Sequence, residues 1–221
     1  MPPRTLLSWS SGKDCAWALH KLRHGACDLA AISTSFDTTS KRVAMHGVRD
    51  GLVDAQARAL GLPLWRVELP WSCPNPIYEE RMRELLARAE AAGIEHIAFA
   101  DLFLEDIRAY RESKMAAHPK LKLQFPLWRR DTDRLAREML DGGLKAVLVT
   151  GDPKRLPLEF AGREFDRDLL NDLPAGVDPC GENGEFHTFC YALPEFSEPV
   201  KFTRGTVQEL GGFWYQDLLP A

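Results

Sequence analysis

Residues 8–16 place a lysine and an aspartate beside three small residues, in the order Ser-Trp-Ser-Ser-Gly-Lys-Asp-Cys-Ala. The apolar pair Leu6-Leu7 precedes this segment and Trp17-Ala18-Leu19 follows it, a pattern that predicts a strand, a tight loop and a helix start. Backbone amides at a helix N-terminus point outward unpaired, and the helix dipole favours an anion there. Lys13 adds a positive charge. The segment therefore predicts a phosphate-binding loop, with a serine-capped helix that binds nothing as the alternative.

A second group of reactive side chains lies near the C-terminus, in Cys180-Gly-Glu-Asn-Gly-Glu-Phe-His-Thr-Phe189. Two carboxylates, an imidazole, a thiol and a hydroxyl occur within nine residues of this segment. Such a set could coordinate a metal, accept a proton or orient an amine nucleophile. The pair Asn183-Gly184 equally fits a type I′ hairpin turn flanked by solvated glutamates. The segment alone leaves both interpretations open.

Two single residues between these segments also have functional positions. His46 opens a helix that the apolar pattern predicts over residues 48–60, and Asp101 follows a strand predicted over residues 94–100. The carboxyl ends of strands in an open α/β sheet are where ligands bind. An ordinary polar residue at a helix start is the simpler interpretation of His46.

Composition excludes several classes of protein. The chain has 221 residues, 45% hydrophobic and 27% charged, with a net charge of −4 from 28 basic and 32 acidic residues. A protein that binds nucleic acid would more often be basic, so no nucleic-acid partner is expected. No apolar stretch approaches the ~20 residues of a membrane helix, and the first residues show no secretory pattern. The five cysteines form no C-x-x-C pair, which argues against a disulfide scaffold or zinc site. A cytoplasmic location without a membrane partner is predicted.

The order of apolar runs and amphipathic stretches predicts an α/β fold. Strands are expected over residues 5–10, 28–36, 62–69, 94–100 and 122–127, separated by helices over 14–23, 48–60, 77–92 and 105–117. Such alternation is typical of a parallel sheet with helices on both faces. A helix over 132–140, a strand over 144–150 and short strands over 186–193, 200–208 and 213–218 follow. We therefore predict an α/β domain over residues 1–127 and a smaller α+β substrate domain over residues 128–221.

The loop resembles a known nucleotide-binding motif. A Walker A motif would require glycine at Leu7 and a hydroxyl at Asp14, so that motif is excluded. Residues 10–15 instead resemble the Ser-Gly-Gly-Lys-Asp-Ser loop of the PP-loop ATP pyrophosphatases, in the adenine nucleotide α-hydrolase superfamily, with Ser11 and Cys15 as departures. The order of this loop, His46, Asp101, Pro126-Leu-Trp128 and Cys180–Phe189 resembles the diphthine–ammonia ligase family, which is also called diphthamide synthase-like. The resemblance extends from residue 4 to residue 193.

The resemblance implies a PP-loop fold and an ATP-dependent ligase that forms AMP and pyrophosphate while it converts a carboxylate into an amide with ammonia. It assigns loop contacts with ATP to Ser10, Ser11, Gly12, Lys13, Asp14 and Cys15. It assigns adenine contacts, through the backbone, to Ser33, Ser35 and Phe36. It assigns catalysis to Lys13, Asp14, Glu182, Glu185 and His187, with Glu185 as the first choice for a general base. It assigns acceptor contacts to His46, Asp101 and Thr188, and Mg²⁺ to Asp14.

The acceptor and two other functions stay open at this point. The resemblance implies diphthine on an elongation factor in an archaeon or a eukaryote, and another small acid in a bacterium. A homodimer is compatible with the sequence. One alternative is a tRNA-modifying enzyme of the thiolase type, with Cys73 or Cys180 carrying sulfur. The other is a non-catalytic sensor of adenine nucleotides, against which the acid-rich segment 182–188 argues because a sensor needs no second reactive site.

Overall fold

The computed structural model describes all residues from Met1 to Ala221. The chain forms nine strands and six α-helices, with a 3₁₀ turn at Leu158–Phe160. The strands are β1 (Arg4–Ser8), β2 (Asp28–Asp37), β3 (Leu64–Leu69), β4 (His96–Ala98), β5 (Lys122–Gln124), β6 (Lys145–Gly151), β7 (Phe186–Ala192), β8 (Phe202–Leu210) and β9 (Phe213–Pro220). The helices are α1 (Lys13–Arg23), α2 (Asp50–Leu60), α3 (Asn75–Ala91), α4 (Glu105–Met115), α5 (Thr132–Asp141) and α6 (Arg167–Asp172). None of the helices combines the length and the hydropathy of a membrane-spanning segment.

The first five strands form a parallel sheet in the order β3-β2-β1-β4-β5. Both faces of the central strand β1 are buried, since Leu6 and Leu7 point in opposite directions and neither is exposed. Leu7 belongs to the main hydrophobic core, which includes side chains of α1 and α2, and Leu6 belongs to a second cluster that includes Ala89 of α3. The predicted α/β architecture with helices on both faces is therefore confirmed.

The remaining strands form a second, antiparallel sheet in the order β7-β6-β9-β8. The first sheet lies wholly before residue 127 and the second wholly after it, as the α+β prediction requires. The main core of 41 buried residues nevertheless runs through both units, with Trp17 on one side and Val147 and Phe189 on the other. The domain boundary at residue 127 stays a prediction, because the two sheets share one core.

Three local expectations differ from the structure. His46 does not open a helix, because α2 begins at Asp50 and His46 lies in a turn between two left-handed residues, Met45 (φ 65°) and Gly47 (φ 66°). The hairpin interpretation of Asn183-Gly184 is wrong, because a type I′ turn needs positive φ at both positions and only Gly184 has it. Helix α6 was not predicted, since its six residues are too few to give a helical period.

Candidate functional site

The loop between β1 and α1 has the backbone shape of an anion site. Ser11 has a left-handed conformation (φ 71°) and is followed by the extended N-cap residue Gly12. The amides of Ser11, Gly12 and Cys15 donate no hydrogen bond within the protein. The side-chain oxygen of Ser11 is also fully buried without a partner. Three free amides at a helix N-terminus can bind a phosphate group.

The second sheet holds this loop in place. The hydroxyl of Thr188 on β7 accepts a hydrogen bond from the Lys13 amide at 3.0 Å, and the amide of Cys190 donates to the Ser11 carbonyl at 2.9 Å. The buried side chain of Gln56 on α2 donates to the same Ser11 carbonyl at 3.0 Å. Gly12 is required here, since a Cβ at this position would lie 2.9 Å from the imidazole of His46. The loop therefore takes its shape from three separate elements.

The Lys13 side chain lies behind the loop and is only 1% exposed. Its ammonium group contacts Asp14 Oδ2 at 2.9 Å, donates a short hydrogen bond to the Cys180 carbonyl, and lies over the Phe186 ring at 5.2 Å. Burial alone would lower the pKa of Lys13, but Asp14, Cys180 and Glu182 together outweigh burial and hold the pKa above its ordinary value. Lys13 is thus a fixed positive charge under the loop.

Glu182 is a carboxylate of the site whose pKa lies near neutrality. Burial raises its pKa to about 7, against the hydrogen bond from the Leu102 amide at 2.7 Å, which lowers it. The neighbouring charges of Asp14 and Asp101 raise the pKa further. A carboxylate with a pKa near neutrality can both accept and release a proton during a reaction. Glu182 lies where the second unit meets the carboxyl end of β4.

Glu185 has a different environment from Glu182. Its side chain is fully buried, pairs with Arg155 at 2.9 Å, and accepts hydrogen bonds from the Asp178 amide at 3.1 Å and from Asn183 Nδ2 at 3.2 Å. These contacts tie together the turn that precedes β7. The expectation that Glu185 is the general base therefore has less support from the geometry than a positioning role. Glu182 has the properties expected of the base.

His46 and His187 form a stacked pair, with ring centroids 4.5 Å apart and an interplanar angle of 27°. Burial lowers the pKa of His187 to about 4, and burial together with His187 lowers the pKa of His46 well below its ordinary value. The Nδ1–H of His46 donates to the Thr188 carbonyl at 3.2 Å. Both rings are neutral at physiological pH, so neither supplies a positive charge to a phosphate.

A cavity of about 540 Å³ opens between the sheet and helices α3 and α4. Ser33 and Ser35 on β2 line it, whereas Phe36 is buried with its side chain against Arg66. Of the residues expected at adenine, only Ser33 and Ser35 thus reach the cavity. The wall also includes aromatic and basic side chains, namely Tyr78, Phe99, Tyr110, Arg83, Arg111 and Lys114.

Asp101 connects this cavity to the carboxylates. It pairs with Arg111 through two hydrogen bonds of 2.7 Å and 3.1 Å, and the Arg111 guanidinium covers the Phe99 ring at 3.9 Å. Ser10 lies in the loop itself, and its hydroxyl donates to the Cys15 sulfur at 3.5 Å. Burial raises the pKa of Cys15 to about 11, so this thiol stays neutral beside the loop.

The structure also identifies residues that the sequence analysis missed. Gln56 and Arg155 both position site elements, and Arg111 fixes Asp101. Gln56 could have been recognised as a polar residue on the buried face of an amphipathic helix. Nothing in the sequence distinguishes Arg155 or Arg111 from the other arginines.

A parallel sheet with helices on both faces defines an α/β protein, and the loop after its first strand is a candidate anion site. Residues 131–218 match a family model described as the diphthamide synthase C-terminal domain. The chain is 29% identical over 166 residues to a diphthine–ammonia ligase of Danio rerio, which covers 67% of this chain and 64% of that protein. It is 26% identical over 163 residues to a diphthine–ammonia ligase of Homo sapiens, covering 67% of this chain and 61% of that protein. The resemblance to this family is therefore confirmed.

The chain spans less than two thirds of the length of these curated relatives. Among solved structures, a U34-tRNA thiolase from Methanococcus maripaludis matches at a TM-score of 0.39 and 18% identity, covering 63% of this chain and 58% of that chain.

Proposed function

We propose that this chain is an ATP-dependent ligase that activates a carboxylate as an adenylate and converts it into an amide with ammonia. The observation that carries the proposal is the loop itself, in which Ser11 is left-handed and the amides of Ser11, Gly12 and Cys15 are free at the start of α1. The relatives named diphthine–ammonia ligase support the same reading. Glu182, with its pKa near 7, lies close to Asp14 beside this loop.

The proposed chemistry has two steps. In the first step, an oxygen of the acceptor carboxylate attacks the α-phosphorus of ATP, and the bond to the β-phosphate oxygen breaks to release pyrophosphate. In the second step, the ammonia nitrogen attacks the acyl carbon, and AMP leaves with the oxygen of the broken acyl bond. The loop amides and the fixed charge of Lys13 would stabilise the pyrophosphate during the first step.

Asp14 has the donor chemistry that a magnesium ion requires. Its Oδ1 atom is buried and has no hydrogen-bond partner, while Oδ2 pairs with Lys13. Carboxylate oxygens are ligands that Mg²⁺ prefers, and the Asp14 side chain remains 27% exposed. Asp14 would thus hold Mg²⁺, which would neutralise phosphate charge when bound.

Glu182 is the residue we assign to proton transfer. Its carboxylate would accept a proton from the attacking nitrogen, since a base with a pKa near 7 is ionised in about half the molecules at neutral pH. Glu185 and Thr188 would act by positioning, Glu185 through the turn before β7 and Thr188 through the loop amide. The neutral rings of His46 and His187 would form one wall of the acceptor site.

The cavity beside Ser33 and Ser35 is the proposed place of the adenosine. It begins at the carboxyl ends of β1 and β2, close to the loop, and its volume of about 540 Å³ lies in the range of nucleotide-sized pockets. The acceptor would be diphthine of an elongation factor, as the names of the relatives suggest, or another carboxylic acid. The chemistry on the acceptor side requires only an accessible carboxylate.

The alternative of a thiolase that carries sulfur on Cys180 has little support from the environment of this residue. Cys180 is buried, and burial raises its pKa far above the ordinary value even though Lys13 opposes this effect. Its sulfur contacts the Thr132 carbonyl at 3.5 Å. A neutral, buried thiol is a poor nucleophile.

Phosphorus NMR of ATP with Mg²⁺ and ammonium tests the proposed function, with purified elongation factor and fractionated cell extract as acceptors. The expected products are AMP and pyrophosphate, formed only with an acceptor and reduced at least ~10-fold in Glu182→Gln. Glu198→Gln, at an exposed position away from the loop, is the matched control and should leave the rate unchanged. ADP with phosphate would contradict the proposal. ATP binding without cleavage by any acceptor would favour the nucleotide sensor.

A further inference from the structure

A cluster of three metal-ligating side chains lies at the opposite end of α1 from the loop. His20 and His24 are four residues apart near the C-terminal end of α1, so they share one helix face. Glu195, in the segment between β7 and β8, reaches the same point. Ligand atoms of these three residues all lie within 4.8 Å of one another.

The carboxylate of Glu195 lacks a full set of partners. Its Oε1 atom lies 2.7 Å from His20 Nδ1 and 3.7 Å from His24 Nδ1. Its Oε2 atom is buried and has no hydrogen-bond partner, although the side chain is only 7% exposed. Arg23 does not supply one, because its guanidinium donates to the carbonyls of Glu195 and Leu60. A buried carboxylate oxygen in this state favours an additional cation.

The surrounding backbone holds the three side chains in position. The Nδ1 atom of His24 lies 2.8 Å from the His20 carbonyl, a contact within α1 that orients the His24 ring. The His20 ring is fixed by stacking on Trp17, at 4.1 Å and 10°. The Glu195 segment is fixed by the Ser197 amide, which donates to the Ala59 carbonyl at 2.8 Å. The helix C-terminus also favours positive charge.

We propose that His20, His24 and Glu195 bind a divalent transition-metal ion of the zinc type. Two imidazole nitrogens and one carboxylate are a donor set that suits Zn²⁺ and, for spectroscopy, Co²⁺, rather than the all-oxygen sites of Mg²⁺ and Ca²⁺. Three protein ligands leave a fourth position open for water. His24 is 64% exposed, so the ion can enter from solvent. The ion would join the end of α1 to the segment that precedes β8.

Metal titration of the chelator-treated full chain tests this site. Calorimetry with Zn²⁺ should give one equivalent per chain, and Co²⁺ should develop the visible absorption of a tetrahedral complex. His24→Ala, at an exposed side chain that the fold does not need, should weaken Zn²⁺ binding about 10-fold or more, and Glu195→Gln should do the same. At one Zn²⁺ concentration, the melting temperature of the wild-type chain should rise more than that of these variants.

Glu198→Gln is the matched control, because Glu198 is an exposed carboxylate three residues from Glu195 that is not part of the cluster. It should bind Zn²⁺ as the wild-type chain does. Absence of Zn²⁺ binding by the wild-type chain would overturn the proposal and leave His20–Glu195 as an ion pair. Unchanged binding in both His24→Ala and Glu195→Gln would also overturn it, since the ion would then bind elsewhere.

Discussion

Glu182→Gln removes a carboxyl group that the folded chain tends to keep protonated. Burial raises the pKa of Glu182 from its ordinary 4.5 to about 7. Between these two pH values the folded chain binds more protons than the unfolded chain, so the free energy of unfolding falls as the pH rises. The loss of unfolding free energy that ionised Glu182 causes is absent below pH 4.5 and complete above pH 7. Glutamine has no charge to bury and keeps an acceptor for the Leu102 amide.

The size of this effect follows from the pKa shift. One pKa unit corresponds to ~1.4 kcal/mol, so the shift from 4.5 to about 7 sets an upper limit of about 3 kcal/mol. Glu182 is partly exposed, and solvent screening reduces the expected effect to roughly 1–2 kcal/mol. The variant should therefore be as stable as the wild-type chain in acid and more stable than it in mild alkali.

Urea unfolding without nucleotide or metal measures this difference, at about pH 5 and about pH 8, on either side of most of the titration. The stability gained by Glu182→Gln over the wild-type chain should grow by roughly 1–2 kcal/mol between the two pH values. Glu198→Gln, at an exposed position, should show no such growth. An equal difference between Glu182→Gln and wild type at both pH values would refute the assigned pKa, and with it the role of Glu182 as proton acceptor.

Three further changes test the site and its supports. Ser11→Gly should stabilise the chain by about 1 kcal/mol in urea unfolding, because glycine adopts the left-handed backbone of this position without strain. A similar gain in stability in Ser11→Ala would contradict this reason. Hydrogen bonds from its two arginine partners hold the pKa of Asp217 at about 2. Asp217→Asn should thus lower the free energy of unfolding by about 1–2 kcal/mol at neutral pH. This loss should disappear as the pH falls from 3.8 through 2. A loss in thermal unfolding that does not depend on pH would count against the pairing. Arg155→Ala should lower the free energy of unfolding by about 2–4 kcal/mol, because it leaves the buried carboxylate of Glu185 without its cation. Arg167→Ala breaks an exposed ion pair and should lower the free energy of unfolding by at most ~1 kcal/mol. Equal losses in Arg155→Ala and Arg167→Ala would argue against the anchoring role of Glu185.

The strands of the parallel sheet could be predicted from the sequence because their cause is local. Buried parallel strands are short apolar runs, and the runs ending at Ser8 and Asp37 stand out from the helices beside them. The two segments that carry the site were also recognisable, since small residues beside Lys13 and glycines beside Glu182 have few other uses. Boundaries differed by one to three residues, as fraying ends do.

The roles within the site could not be predicted, because they depend on contacts between residues far apart in the chain. Glu182 and Glu185 are alike in the sequence, yet one faces Asp14 and Asp101 while the other is neutralised by Arg155. No local sequence pattern indicates which of the two carboxylates pairs with a cation. The cluster of His20 and Glu195 was missed for the same reason, since its members are 175 residues apart.

The attachment of the loop to β7 would make the proposed nucleotide affinity depend on both halves of the chain. Thr188 fixes the Lys13 amide and the Cys190 amide fixes the Ser11 carbonyl. A segment ending at residue 127 would keep all five strands of the parallel sheet but would lose the template that shapes its loop. We consequently expect nucleotide binding at the loop and acceptor binding at residues 180–189 to change each other's affinity.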